Sequence, residues 1–202
     1  MKKKVVKNRD LDFLYEVGCL RFIQRTWKHF YNPDFQNLAE HHLRVAWIAL
    51  LLAKEEGIID TGKILKMAIV HDLGESRTGD ANYIQRQYVE RNEKMGILDI
   101  FSDTKLEDEF VKVWEDYERK DSLEAKIVKD ADNLDVDLEL KEQEYKGNPL
   151  GKEWAKTRKF VYQNRLYTKS AKKLWLKIQK SDPHQWHRES RNRFNSGDWS
   201  NK

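Results

Sequence analysis

Apolar residues recur along the chain at three- and four-residue intervals, the period of helices that bury one face. Leu11, Leu14, Tyr15, Val17, Gly18, Phe22 and Ile23 predict a first helix, with Asp10 as N-cap and Gln24-Arg25-Thr26-Trp27 at its end. Phe30 to Phe35 reads as a loop marked by Pro33. Asn37, with Glu40 three residues later, matches a capping box. It opens a helix carrying Leu43, Ala46, Trp47, Leu50, Leu51 and Ala53 that stops at Gly57. Asp60 or Thr61 caps a third helix, whose buried stripe of Ile64, Leu65, Ala68 and Ile69 delivers His71-Asp72. Tyr88 to Met95 and Leu106 to Tyr117 are helical and heavily charged, with solvated polar faces, punctuated by Gly96 and Ser102-Asp103. Asp121-Ser122 caps a long helix through Ala125, Ile127, Val128, Leu134, Val136, Leu138 and Leu140. Gly147 to Gly151 breaks the chain, and a last helix from Trp154 to Ile178 serves as a lid or brace. No strand run and no repeat is visible, so the fold class is all-α. Residues 1–181 form one helical domain, and 182–202, polar and basic after Asp182-Pro183, read as a mobile tail.

Composition narrows the setting. A chain of 202 residues is long enough for one well-buried core. Hydrophobic residues at 39% and charged residues at 36% suit helices with solvated outer faces, and only three prolines argue against a turn-rich β-sandwich. The net charge of +4 is too small by itself to imply a nucleic-acid binder. The single cysteine, Cys19, forms no internal disulfide and reads as a small core residue of the first helix, in a reducing compartment. Met1-Lys2-Lys3-Lys4 is followed by no apolar signal core, and no run approaches the ~20 apolar residues of a membrane span. A cytoplasmic protein is expected.

The candidate chemistry gathers at Ala68-Ile69-Val70-His71-Asp72-Leu73-Gly74-Glu75. An adjacent imidazole and carboxylate at the end of an apolar helix are costly unless something binds both, and a divalent cation does so. Gly74 stands where a turn bringing both to one ion would need it. Further ligands are available from His41, in the first turn of the second helix, and from Asp130, Asp132 or Asp135 on the long helix. His42 points about 100° away from His41 and reads as a core histidine.

The order His41, His71-Asp72, Asp132 resembles the metal signature of the HD-domain phosphohydrolases. The surrounding text, Glu40-His41, His71-Asp72-x-x-Glu75, Thr78-Gly79-Asp80 and Val128-Lys129-x-x-Asp132, is similar to their 5′-deoxynucleotidase branch over about Leu14 to Tyr145. The resemblance implies an HD-type helical bundle in which His41, His71, Asp72 and Asp132 hold one divalent ion (Co²⁺, Mn²⁺, Mg²⁺, Ni²⁺, Fe²⁺ or Zn²⁺). It implies that Glu75 and Asp80 manage the attacking water, with the base undecided between them. Arg25, Trp27 and Lys129 would seat the substrate, although Thr26 interrupts the Arg-Trp pair of the family. Arg44 and Arg77 are assigned to the surface or to supporting contacts. The implied reaction is hydrolysis of 2′-deoxynucleoside 5′-monophosphates, with triphosphohydrolysis as the alternative. Members of the branch are commonly dimeric, and the amphipathic helices leave room for a homodimer. A reading of another class is a regulatory HD module without turnover, or a nucleic-acid-binding one. The binding module would use Lys169, Lys172, Lys173, Lys177, Lys180, Arg188, Arg191 and Arg193 interleaved with Trp175 and Trp186.

Overall fold

The long helix α7 (Leu123–Tyr145) is the spine of the molecule, and its cap follows from Ser122, whose Oγ accepts from the Ala125 N–H. The computed structural model describes residues 8–189, and all regular structure within them is helical. The chain opens with α1 (Arg9–Gly18) and a 3-10 turn, Cys19–Phe22. The cap of α1 is Asn8, accepting from the Leu11 N–H, not Asp10, which accepts instead from the Lys105 N–H of a distant loop. A second 3-10 turn, Thr26–Phe30, stands within the stretch read as helix end and loop.

Next comes α2 (Leu38–Glu55), opened by the predicted capping box, in which Asn37 and Glu40 exchange hydrogen bonds of 2.8 and 3.0 Å. Gly57, with φ at +78°, follows its end. Then come α3 (Gly62–Val70), α4 (Glu75–Thr78), α5 (Glu93–Phe101) and α6 (Glu107–Arg119). After α7 follow α8 (Leu150–Glu153), α9 (Ala155–Asn164), α10 (Lys169–Gln179) and α11 (Gln185–Arg188). The single helix expected over 154–178 is therefore divided. Asp130 on α7 accepts from the Tyr167 and Thr168 backbone N–H groups, and the Thr168 side chain caps α10.

α2, α3 and α7 pack against one another, and α10 packs on α7 and touches α2. Val45, Ile48, Ala49 and Leu52 of α2 meet Ile64, Met67 and Ala68 of α3 and Ile127, Ala131 and Leu134 of α7 in the main core. A smaller aromatic cluster joins Phe35, Trp27, Phe30 and Trp154 to Val136 and Leu140.

The predicted faces hold only in part. Ala53 of α2 and Ile64 and Ala68 of α3 are buried as read, but on α2 Leu43, Trp47 and Leu51 are exposed, and on α3 Ile69 is exposed while Met67 and Val70 are buried. Helices apolar on most sides do not declare their inner face through period alone. No residue of α1 is buried, and Cys19 is exposed because α1 lies on the surface. The helix read over Tyr88 to Met95 begins instead at Glu93, and Gly96, read as a break, lies inside α5. Its reason is packing, since a Cβ at Gly96 would stand 3.4 Å from the Gly74 carbonyl oxygen; Gly74 itself has ordinary helical angles, and a Cβ there would stand 3.2 Å from the Glu93 carbonyl oxygen. Gly74 thus serves close approach of α4 and α5 rather than a left-handed turn. The tail reading is also divided, since Gln185–Arg188 is helical and His184 lies on the Tyr145 ring, while 190–202 fall outside the described residues. Gly74→Ala is expected to destabilise the protein by about 1–3 kcal/mol, because the obstructing atom is backbone; urea unfolding reads this directly.

Candidate metal centre

Three helices deliver four donors to one point. His41 lies one turn into α2, His71 is the C-cap of α3 with Asp72 beside it, and Asp132 comes from α7. One donor atom from each lies within 4.8 Å of all the others. His41 Nε2 is 3.2 Å from His71 Nε2, 3.5 Å from Asp72 Oδ2 and 3.3 Å from Asp132 Oδ1, and His71 Nε2 is 3.4 Å from Asp72 Oδ2. Metal bonds of about 2.0–2.2 Å set neighbouring ligands about 3.0–3.5 Å apart, and these separations fall in that range.

The hydrogen bonds behind the imidazoles strengthen this reading. His71 Nδ1 lies 2.8 Å from the Ala68 carbonyl oxygen, which can only accept, so Nδ1 carries the proton. His41 Nδ1 lies 2.6 Å from the Asp135 carboxylate and is a donor for the same reason. Both neutral rings then aim Nε2 lone pairs at each other across 3.2 Å. Such an arrangement holds only with a positive charge between them, a proton or a metal ion. The donor set of two imidazoles and two carboxylates, with carboxylate and carbonyl behind them, suits a divalent metal ion.

Electrostatics agree. Burial alone would raise the Asp72 carboxyl, but His71, His41 and Arg25 hold it well below the usual range. Asp132 is likewise held low against its burial by Lys129 and His41. Burial and Arg25 pull His41 down, yet hydrogen bonds to Asp132, Asp135 and Asp72 prevail and push it up to about 10. In the absence of a metal, the proton on His41 takes the cation's place. Burial lowers His71 and His42. His42 is buried and packs tilted against His71 with ring centres 4.7 Å apart, and its Nε2 has no hydrogen-bond partner.

Of the competing carboxylates, Asp130 faces the start of α10, and Asp135 supports His41 rather than joining the four donors. Glu75 is buried at the start of α4. Its Oε1 accepts from Arg91 Nη1 at 2.8 Å, while Oε2 is buried without a hydrogen-bond partner and 4.0 Å from Arg25 Nη1. Burial, with Asp72 and Asp80 nearby, pushes Glu75 up to about 8. Asp80 Oδ2 accepts from both the backbone N–H and the hydroxyl of Thr26, which brings Arg25 Nε to 3.7 Å from it. Thr26, the apparent interruption, is thus the tether between the two segments.

Arg25 is buried and donates to Asp72 at 3.1 Å, and Lys129 Nζ lies 2.6 Å from Asp132. Trp27 packs edge-on against Trp154, with ring centres 4.3 Å apart, in the aromatic cluster. Arg77 pairs with Glu16 at the surface.

Sequence reasoning missed Arg91, which it placed on the solvated face of a helix over 88–95; the residue lies in the loop before α5 and also donates to the Gly79 carbonyl. It also missed the network behind His41, in which Arg44 binds Asp135, Glu139 and Glu142 and Gln36 binds Asp135. A signal for that network existed: Asp132, Asp135, Glu139 and Glu142 recur at helical spacing along one face of α7. The nucleic-acid reading loses a stacking platform, because Trp175 is buried and stacked on Tyr162. Arg191 and Arg193 lie outside the described residues, and among those described no helix is long and apolar enough to cross a membrane.

The HD-domain family model matches residues 17–175. The chain is 32% identical over 146 residues to the 5′-deoxynucleotidase HDDC2 of Danio rerio, covering 69% of this chain and 72% of that one. It is 33% identical over 152 residues to the protein of the same name from Dictyostelium discoideum, covering 69% and 80%. A solved conserved hypothetical protein from Pyrococcus furiosus superposes with a TM-score of 0.70 at 28% identity, covering 85% of this chain and 99% of that one.

One consequence concerns pH. Folded His41 and Glu75 keep their protons to about 10 and about 8, against 6.5 and 4.5 as ordinary values. Unfolding above pH 7 therefore releases protons, and stability falls as pH rises. His42 and His71, being lowered, contribute their full share once above about 6.5 and do not oppose the trend. With chelator present, the melting temperature is expected to fall steadily from pH 7 to 10. Saturating divalent metal should raise it at each pH and release protons on binding, which calorimetry in two buffers of different ionisation enthalpy measures.

Proposed function

The chain belongs to the HD-domain family, on its 5′-deoxynucleotidase-like branch, and from that premise we propose that it hydrolyses 2′-deoxynucleoside 5′-monophosphates to deoxynucleoside and inorganic phosphate. One observation supports this reading above all. Beside the four-donor cluster, a buried acceptor without a partner (Glu75 Oε2) and a buried donor without one (Arg25 Nε) stand near the same carboxylates. Buried polar atoms are rarely left unpaired. A water and a phosphate oxygen would satisfy both.

His41, His71, Asp72 and Asp132 would hold the ion, one of Co²⁺, Mn²⁺, Mg²⁺, Ni²⁺, Fe²⁺ or Zn²⁺. When bound, it supplies Lewis acidity that polarises the phosphoryl group and makes water more acidic. Arg25 presents its guanidinium to the phosphate, a planar fork suited to two parallel hydrogen bonds. Its burial keeps water from competing for those donors. Lys129, tied to Asp132, adds a second positive charge at the same edge. Glu75, in the ionised form that the charge of a bound cation would favour, accepts the water's proton through Oε2, because Oε1 is already engaged by Arg91. A carboxyl near 8 without metal is well matched to proton transfer near neutrality. Asp80, held by Thr26, keeps Arg25 turned inward and completes the polar wall. Trp27, braced by Trp154 and Phe35, offers a rigid face for the sugar, where an additional 2′-hydroxyl would be disfavoured.

The test is a nucleotide panel. Metal-stripped protein, re-supplied in turn with Co²⁺, Mn²⁺ or Mg²⁺, is expected to release inorganic phosphate from deoxynucleoside monophosphates and more slowly from ribonucleotides. Tripolyphosphate from a deoxynucleoside triphosphate would point to the alternative activity, and no turnover with any ion would remove the catalytic proposal. Glu75→Gln is expected to lower kcat by about 10²–10⁴-fold while the ion still binds by calorimetry. Arg25→Lys should raise KM for the monophosphate, since the bidentate grip is lost.

A further inference from the structure

Two loops, 29–34 ahead of α2 and 146–150 after α7, line a cavity of about 660 Å³, a size that suits a small molecule. None of the metal donors, and none of Arg25, Trp27, Glu75, Asp80 or Lys129, lines it. Phe30 and Trp154 give it aromatic walls. One wall residue carries an unmet donor. Asn32 is 0% exposed, and its Nδ2 has no hydrogen-bond partner. The orientation of that amide is fixed from outside. The Leu150 N–H donates to Asn148 Oδ1 at 2.9 Å, so it is Asn148 Nδ2 that donates to Asn32 Oδ1 at 3.3 Å. Turning Asn32 over would set two amide nitrogens against each other, so its NH₂ faces away from Asn148. A buried amide of this kind calls for an acceptor. Beside it, Tyr31 lines the same cavity on a left-handed backbone, φ +59°, with the residue 95% exposed. A bulky residue in that region is strained, and here its ring gains no burial to offset the strain.

The charged groups narrow the ligand. Asp34 and Glu153 outnumber Lys146 around the cavity, so a phosphate is repelled while hydroxyl groups find carboxylate acceptors. Aromatic walls suit a planar ring. The unmet Asn32 donor suits a carbonyl oxygen or ring nitrogen on that ring's edge. A planar heterocycle with acceptors on its edge, hydroxyls on an attached group and no charge is a nucleoside. We propose that this cavity is a binding site for an uncharged nucleoside, separate from the metal centre. Asn32 donates to the base, Tyr31 covers it, and Asp34 and Glu153 accept from the sugar hydroxyls. The inference does not depend on the reaction proposed above, although the deoxynucleoside released there belongs to the same class.

Equilibrium dialysis of the full chain against thymidine and deoxyadenosine, with chelator present, tests it without any turnover. One nucleoside per chain is expected to bind. Asn32→Leu, of similar size but without the amide, should weaken binding by about 10-fold, the loss of one hydrogen bond. Tyr31→Gly should weaken it by about 5-fold or more, the loss of one stacking face. Glycine accepts the left-handed backbone freely, so a purely structural role for Tyr31 predicts no loss of binding there. Glu153→Lys reverses the charge excess and should strengthen binding of thymidine monophosphate by about 3-fold. Circular dichroism checks folding, and the Tyr31 and Glu153 variants keep the test valid if Asn32→Leu does not fold. No nucleoside bound at millimolar concentration, binding unchanged in the folded Asn32 and Tyr31 variants, or monophosphate binding indifferent to Glu153→Lys would each overturn the proposal.

Discussion

Two imidazole nitrogens presenting lone pairs to each other at 3.2 Å are the constraint around which this molecule is arranged. Neither ring can turn away, because Ala68 and Asp135 fix the opposite nitrogens as donors. The pair is tolerable only when something positive lies between. Asp72 and Asp132 add two carboxylates at the same place, so the need for a cation dominates the local energetics.

Much of the remaining polar structure compensates this concentration of charge. Arg25 approaches from the loop before α2, Lys129 from α7 and Arg91 from the segment before α5, each bonded to an acid at or beside the centre. Arg44 does the same from behind, through Asp135. The consequence for chemistry is selectivity among similar groups. Asp72 and Asp132 are held ionised, whereas Glu75, one helical turn further on, is held protonated to near 8. Carboxylic acids on consecutive elements thus acquire different roles from burial and neighbours alone.

The cost of building such a centre among helices is a spine with many buried acids. Asp130, Asp135, Asp137 and Glu139 of α7 are all buried, and each has a structural partner: the start of α10 for Asp130, Arg158 for Asp137, and Arg44 for Asp135 and Glu139. These pairs locate α9 and α10 as firmly as the apolar contacts do, since an unpaired buried carboxylate is far costlier than a lost methyl contact.

The sequence by itself determined the helical class, the capping box at Asn37 and the Ser122 cap, because caps are encoded within a few residues. It offered His41, His71 and Asp72 as donors but left the fourth open among Asp130, Asp132 and Asp135, with only the family resemblance favouring Asp132. It could not decide which side of α2 faces inward. Apolar residues surround that helix, and only α3 and α7 select Val45, Ile48 and Leu52 over Leu43, Trp47 and Leu51. Nor could it find Arg91, or the closeness that makes a glycine of residue 74, for these follow from distances between segments far apart in the chain. Local chemistry is written in neighbouring residues; facing, enclosure and the acidity of Glu75 arise only when separate helices exclude water together.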